Sequence, residues 1–371
     1  MNLTDVWQIC GKYIQNWKNM IKCLQNGGNL MDNNELIVDN LSKEITELVI
    51  KSREKLKNEM NNEQIKCYWD IGRKIIEEEQ KGKSKAEYGK GLLINLSKKL
   101  KNELGKGFSR TNLQNMRLFY QYYPKCQTSG KLSWSHYCEL IMIKDKEKRD
   151  FYEKECINSK WAVRELKRQV ESSLYERLLL SNGKANKEKV LKLAKEGQAI
   201  EKPEDILKDP YVFEFLGIPE NKPVLEKDLE YKLIKHIEDF LLELGKGFMF
   251  VGSQQRVTLG NTHYYVDMVF YNKILKCYVL IDLKIGHLKP ENMGQMNMYL
   301  NYYEKEVNTE EDNKPIGIIL CAKKDNVVAE YSLGGINNNL FASNYTYYMP
   351  DKEELIAQVE KVINENEDEK E

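Results

Sequence analysis

The sequence predicts an α/β protein, α+β overall, in which a helical amino-terminal half precedes a domain built on a mixed central sheet. Three observations predict this. From position 41 to about 180, apolar residues return every three or four places, the period of a half-buried helix. From 225 onward, short runs rich in β-branched and aromatic residues alternate with helical stretches. Two of those runs carry an acidic residue, Asp267 and Asp282, among otherwise apolar neighbours.

Length and composition bound the reading before any motif does. At roughly 100–200 residues per domain, 371 residues argue for two or three domains. No run of ~18 uninterrupted apolar residues occurs, which argues against a membrane span, and the first thirty residues lack the pattern of a secretory signal. Eight cysteines are scattered, with no CxxC pair and no histidine at zinc-finger spacing. They read as reduced thiols, so the protein is expected in the cytoplasm. No GxxxxGK[ST] loop is present, and the glycines from Gly247 to Gly252 do not match a dinucleotide loop.

A formal net charge of zero conceals an uneven distribution. Residues 81–140 hold twelve Lys/Arg against three acids, whereas 351–371 hold nine acids against three lysines. The basic window is compatible with a solvated helix face or with a nucleic-acid contact.

Element by element, residues 1–40 form a polar, Asn-rich extension in which Met31 is an alternative start. Leu41, Ile45, Leu48 and Val49 open a long helix running through Ile65 and Trp69 to Ile75. Gly82 and Gly89 punctuate, and Leu92, Leu93, Leu96 and Leu100 begin the next helix. Gly105 and Gly107 stop it. Ser109 is then a good N-cap for a helix carrying Leu113, Met116 and Tyr120.

Two helices around a glycine turn look like a helix-turn-helix or an ordinary helical hairpin. Arg110, Asn112, Gln114, Asn115 and Arg117 are the residues of the second helix able to reach phosphates and base edges. A helix from about 162 to 180 closes the domain 41–180 and is a candidate for self-association. Trp69, Trp134 and Trp161 read as packing anchors, and His136 and His236 lack partners for a nucleophilic triad.

Residues 181–223 are a proline-bearing connector with short apolar pieces such as Tyr211–Leu216. The α/β domain, 224–364, opens with an amphipathic helix from Leu225 to Leu244. Strands follow at Phe248–Val257, His263–Tyr271 and Lys276–Lys284, then a helix from Pro290 to Tyr303 and a strand at Ile316–Cys321. A strand at Asn344–Met349 and a helix at Asp351–Ile363 precede the acidic tail 365–371.

Chemistry concentrates in the middle strands. A carboxylate within an apolar strand is costly to bury unless it meets a cation or donors. Side chains alternate along a strand, so Asp282 and Lys284 share one face while Leu283 takes the other. If the two strands pair as a hairpin, Asp267 comes alongside Asp282. Two carboxylates beside an ammonium form a divalent-metal site with an activator of water. A surface ion pair or a loop cap is the plainer alternative.

Asp267 followed by Asp282-Leu283-Lys284 resembles the D…(D/E)xK signature of PD-(D/E)xK nucleases. Phe240–Gly252, Tyr265–Tyr271, Ile281–Gly286, Gly294–Leu300 and Pro315–Cys321 are similar to the bacterial YhcG-like family within that superfamily. Tyr68–Gly72, Gly107–Ser109 with Asn112-Leu113, Leu132–His136, Trp161 and Arg164–Arg177 resemble its helical amino-terminal domain. The likeness spans about residues 41–350.

The resemblance implies a Mg²⁺-dependent DNA endonuclease, with Mn²⁺ as a substitute, serving genome defence, mobile-element biology or DNA repair. It places the metal on Asp267, Asp282 and the carbonyl of Leu283, with Lys284 orienting the attacking water. It adds Gln295 on the following helix; Tyr299, one turn beyond Gln295, faces the same way and is a candidate contact to the phosphate backbone. It also adds a helical glutamate. Glu230 and Glu238 both qualify, being about 80° apart on one helix, and Glu230 is preferred. Val266 stands where the superfamily has proline, and Asp282 where Glu is frequent. A homodimer is expected because cutting two strands needs two sites, along with restriction or defence partners. The other reading is a catalytically silent DNA-binding or assembly subunit; cleavage of RNA or branched DNA is a third.

Overall fold

The computed structural model describes residues 33–81, 86–125, 131–181, 186–219, 224–323 and 339–368. Most of the expected extension 1–40, including Met31, lies outside them, as do Gly82 and the last three residues of the acidic tail. The chain divides into two units, residues 1–63 and 64–371. The described part of the first unit is the opening of helix α1 (Asn33–Lys81), where Leu41, Ile45 and Leu48 are exposed.

The second unit takes up α1 at Gln64 and continues with α2 (Ala86–Leu104), α3 (Arg110–Tyr122), α4 (Trp134–Leu140) and α5 (Lys146–Ser159). Helix α2 begins before the expected Leu92, so Gly89 lies inside it rather than ahead of it. Ser109 caps α3 as its position predicts, its hydroxyl accepting from the Asn112 amide at 3.1 Å. A Cβ on Gly72 would fall 2.1 Å from the Met116 carbonyl, so glycine is what lets α1 pack directly on α3. The tryptophans anchor this packing. Trp69 donates to the Tyr123 carbonyl and Trp134 to Asn112 Oδ1.

The single helix expected over 162–180 is two, α6 (Val163–Glu171) and α7 (Leu174–Leu180), interrupted at Ser172-Ser173 with Ser173 in the left-handed region. Leu174, Tyr175, Leu178 and Leu179 are buried in the helical core. That face is therefore already occupied and is not available for self-association. Helix α8 (Lys187–Glu196) follows.

The sheet comprises β1 (Tyr211–Val212), β2 (Phe248–Leu259), β3 (Thr262–Asn272), β4 (Cys277–His287), β5 (Ile316–Lys323) and β6 (Asn339–Thr346), in the order β1-β6-β5-β4-β3-β2. The pairs β1–β6, β6–β5 and β5–β4 are parallel, and β4–β3 and β3–β2 are antiparallel. Part of the connector thus belongs to the sheet: Tyr211 and Val212 are fully buried and pair with Tyr345 and Thr346. Strand β6 begins earlier than the expected Asn344, its register on β5 starting at Asn339.

The helix expected over Leu225–Leu244 breaks at His236 into α9 (Glu226–Lys235) and α10 (Ile237–Leu244). Leu229, Leu233 and Phe240 cover Met268, Ile281 and Leu283 on one face. Helix α11 (Pro290–Tyr302) covers the other, setting Met293, Met296 and Leu300 against Val266, Leu280 and Ile319. The terminal helix α12 (Lys352–Asp368) places Val359 in the helical core. Among the described residues no helix is long and apolar enough to cross a membrane.

A buried charge cluster ties helical half to sheet. Glu243, wholly buried on α10, accepts from Arg177, from Arg168 at 3.2 Å and from the Val212 amide at 3.0 Å. Burial alone would raise its carboxyl, but Arg177, Lys208 and Arg168 hold it down at about 2.

Candidate active site

Strands β3 and β4 pair from Asn272–Cys277 as far as Met268–Ile281, and there the ladder between them ends. Beyond that point β3 stays with β2 and β4 stays with β5. The backbone edge of Leu283 is thereby freed, and the Asp267 carboxylate takes its amide, Oδ2 accepting at 2.9 Å. The N–H and C=O of one residue on a strand point to the same side, so the Leu283 carbonyl opens toward Asp267 as well. The parting of the strands is what brings a carboxylate, a second carboxylate and a spare carbonyl together.

Asp282 is the next residue in from that edge and is 3% exposed. Burial first, and then the neighbouring Asp267 charge, push its carboxyl up to about 7 against the pull of Lys284. The Lys284 ammonium lies 2.8 Å from Asp282 Oδ2. That oxygen is buried, with the ammonium as its close ionic partner. Burial works to lower the Lys284 ammonium, but Asp282 beside it outweighs this and holds it above its ordinary value. Glu226, on the first turn of α9, stands 3.8 Å from the same ammonium.

Helix α9 also delivers Glu230. Its Oε2 accepts from Gln254 Nε2 at 2.8 Å, and the same amide nitrogen donates to Asp267 Oδ1 at 3.2 Å. Burial pushes the Glu230 carboxyl up. Glu238 is exposed on α10: the break at His236 removes the straight-helix relation that made the two glutamates equivalent.

Gln254 is the residue that sequence reasoning missed. It holds φ +48°, a left-handed backbone uncommon for a residue with a side chain, and uses it to aim one amide at two carboxylates. The only signal was a pair of glutamines, Gln254-Gln255, in the polar middle of a strand, between Ser253 and Arg256.

Gln295 lies on α11 and donates to the Tyr299 hydroxyl at 2.8 Å, which in turn donates to the Tyr265 carbonyl at 2.9 Å. Tyr299, expected to contact a phosphate backbone, is fully buried. It holds Gln295 instead, and that correction follows from the depth of α11 against the sheet.

The five expected DNA-contacting residues on α3 separate. Arg110 is exposed and Gln114 half-buried. Asn112 is bound on both sides, its amide donating to the Gly107 carbonyl and its oxygen accepting from Trp134. Asn115 donates to Cys138 Sγ at 3.5 Å, and Arg117 pairs with Glu79 at 2.7 Å.

Among the described residues no trio of His, Cys, Asp or Glu side chains converges as a cage. The donor set is two carboxylates, one of them buried, and a carbonyl. That suits a hard cation such as Mg²⁺, which is usually held by one or two carboxylates and keeps several waters.

A mixed sheet whose parting strands bring Asp267, Asp282 and Lys284 together is the architecture of a PD-(D/E)xK nuclease domain. The family model described as "YhcG PDDEXK nuclease domain" matches residues 204–360, and that of the "DUF1016 N-terminal domain" matches 44–177. The Escherichia coli (strain K12) protein named "Putative nuclease YhcG" is 36% identical over 344 residues, covering 84% of this chain and 90% of its own. The chain belongs to the YhcG family of PDDEXK nuclease-domain proteins. A crystal structure of a repair endonuclease from Pyrococcus abyssi aligns over 34% of the chain and about half of its own length (49%). At 15% identity and a TM-score of 0.24, that likeness is too slight to bear on the fold.

Proposed function

We propose that the protein is a Mg²⁺-dependent DNA endonuclease. The observation that carries this reading is the convergence of buried Asp282 with Asp267 and Lys284 at the point where β3 and β4 part. Asp267, Asp282 and the Leu283 carbonyl would hold the cation, which supplies Lewis acidity toward a phosphoryl oxygen and its bound water. Lys284 keeps its proton, so it acts by placing positive charge and an N–H beside the attacking water and the phosphate. Gln295 is fixed by Tyr299 and orients at the rim, while Glu230 supports Asp267 through Gln254.

Substrate binding is assigned to the basic residues of the helical half. Lys98, Lys99, Lys101, Lys106, Arg110 and Lys125 are all exposed there, as a sequence-independent phosphate contact requires. Two copies supply two cuts. The cytoplasm, and a setting in genome defence, mobile-element biology or DNA repair with restriction or defence partners, complete the proposal.

Incubation with supercoiled, linear, single-stranded and branched DNA, each with Mg²⁺, Mn²⁺ or EDTA, tests it. Cation-dependent cutting of one or more substrates is expected; no cutting of any with either cation overturns it. One observation favours a second reading, a silent DNA-binding scaffold: the Lys284 ammonium already sits on Asp282, where a cation would lie. A scaffold shows no rise in melting temperature with Mn²⁺, whereas the nuclease does.

A further inference from the structure

The Lys284 ammonium lies 2.8 Å from Asp282 Oδ2, against one of the two carboxylates that the nuclease reading gives to a cation. Like charges repel strongly at that range, so Lys284 must give way when a cation binds there. Among the described residues three carboxylates bear on the ammonium: Asp282, Asp267 and Glu226. The first two are the cation's. Glu226 is the one that remains, and its Oε2 stands 3.8 Å from the ammonium.

We propose that Glu226 is a positioning residue, the partner onto which Lys284 shifts when a cation takes Asp282. The inference rests on the nuclease reading and adds how the site passes from its cation-free to its cation-bound arrangement. The distances support it first. Closing the second contact from 3.8 Å to the 2.8 Å of the first takes a movement of about 1 Å at the end of a flexible four-carbon stem. The ammonium therefore stays beside the attacking water and the phosphate throughout.

Second, Glu226 is already set for the exchange. An acid in the first turn of a helix is favoured by the helix dipole alone, but this one reaches off α9 to β4. Its Oε1 accepts from the Ile285 amide in a long contact of 3.4 Å, while Oε2 is the oxygen nearest the ammonium. One oxygen is tied to the main chain and the other is left for Lys284.

Third, the main chain is pinned at this point, which confines the movement to the side chain. Strands β4 and β5 pair as far as Lys284–Cys321 and resume at His287–Lys323, three steps on β4 against two on β5. A bulge of this kind re-aims a side chain beside a site. Tyr345 braces it from β6, its hydroxyl donating to the Lys284 carbonyl at 3.2 Å while its ring stacks on Phe213. With the Ile285 amide on Glu226, the peptide bond after Lys284 is held at both its polar ends.

Binding of Mn²⁺ to the full chain without DNA, read by electron paramagnetic resonance of the free ion, tests the proposal. The binding that Asp282→Ala loses is the site's own. The Glu226 side chain is 45% exposed, so its pair with the ammonium is worth what a surface pair is, and Glu226→Gln should weaken Mn²⁺ binding about two- to five-fold. Lys284→Met removes the competing charge and is expected to bind Mn²⁺ more tightly than wild type. In that background Glu226→Gln is expected to change nothing, because no ammonium remains to be received. Lys284→Gln closes the same cycle should the methionine variant fail to fold.

Glu226→Gln binding Mn²⁺ as wild type does overturns the proposal. So does the same loss appearing in the Lys284→Met background, since Glu226 then acts on the cation directly. Lys284→Met binding no more tightly than wild type overturns it as well, because the ammonium is then no competitor. A wild type with no Mn²⁺ bound at Asp282 sinks this inference together with the nuclease reading. Any of the first three results beside a wild type that does bind sinks this inference alone.

Discussion

Replacing Glu243 by glutamine isolates the joint between the helical half and the sheet. The substitution keeps the shape of a side chain that is completely buried, but it removes the charge facing Arg177 and Arg168 and turns one acceptor into a donor. Arg168 retains Glu214 at 2.7 Å, and Arg177 retains the carbonyls of Ser172 and Pro210. Neither guanidinium is fully stranded. Removing one member of a buried, hydrogen-bonded ion pair destabilises by about 3–5 kcal/mol.

A unit of this size shifts by about 2 °C per kcal/mol, so the melting temperature should fall by about 6–10 °C. The pH dependence gives an independent check. The carboxyl sits below its ordinary value, so its stabilisation is complete above about 4.5 and is lost as the pH falls toward about 2. The gap between wild type and Glu243→Gln should therefore narrow on acidification. Urea unfolding followed by tryptophan fluorescence measures both. A loss below about 1 kcal/mol at neutral pH, within the range of a surface pair, or a gap that widens in acid, refutes the reasoning.

Three further outcomes follow from the site. Gln254 is held at φ +48°, so Gln254→Gly should exceed Gln254→Ala in stability by about 1–2 kcal/mol; equal urea midpoints would show that the backbone is not strained there. Tyr299→Phe strips the hydroxyl that links Gln295 to the Tyr265 carbonyl, and should lower stability by about 1–3 kcal/mol; a neutral effect in the same assay would mean water replaces it. Gly72→Ala drives a methyl against the Met116 carbonyl and should destabilise by about 1–3 kcal/mol, read by thermal melting, whereas Gly91→Ala, with open space around it, should not.

What the sequence disclosed was what local pattern encodes. Strands β2, β3 and β4 and helix α11 were legible because period-two alternation and apolar runs dictate them. Asp267, Asp282 and Lys284 were legible because charge inside such runs needs a reason. What stayed hidden depended on contacts between distant segments.

Asn112, Asn115 and Arg117 have the side chains of a DNA-reading helix, yet Trp134, Cys138 and Glu79 engage them from elsewhere in the fold. Tyr211-Val212 is too short for any periodicity, and only its pairing with β6 makes it a strand. The choice between Glu230 and Glu238 turned on a helix break at His236 that neither proline nor glycine announces. Gln254 matters because of one backbone angle, and no composition shows that.

The most direct measurement is cleavage of supercoiled plasmid by wild type, Asp282→Ala and Lys284→Ala, with Mg²⁺ and with EDTA, alongside DNA binding by fluorescence anisotropy. Wild type should cut only with the cation, and both variants should cut at least about 10²–10³-fold more slowly while binding DNA with unchanged affinity. Cleavage by Asp282→Ala at the wild-type rate would contradict the assignment of the site.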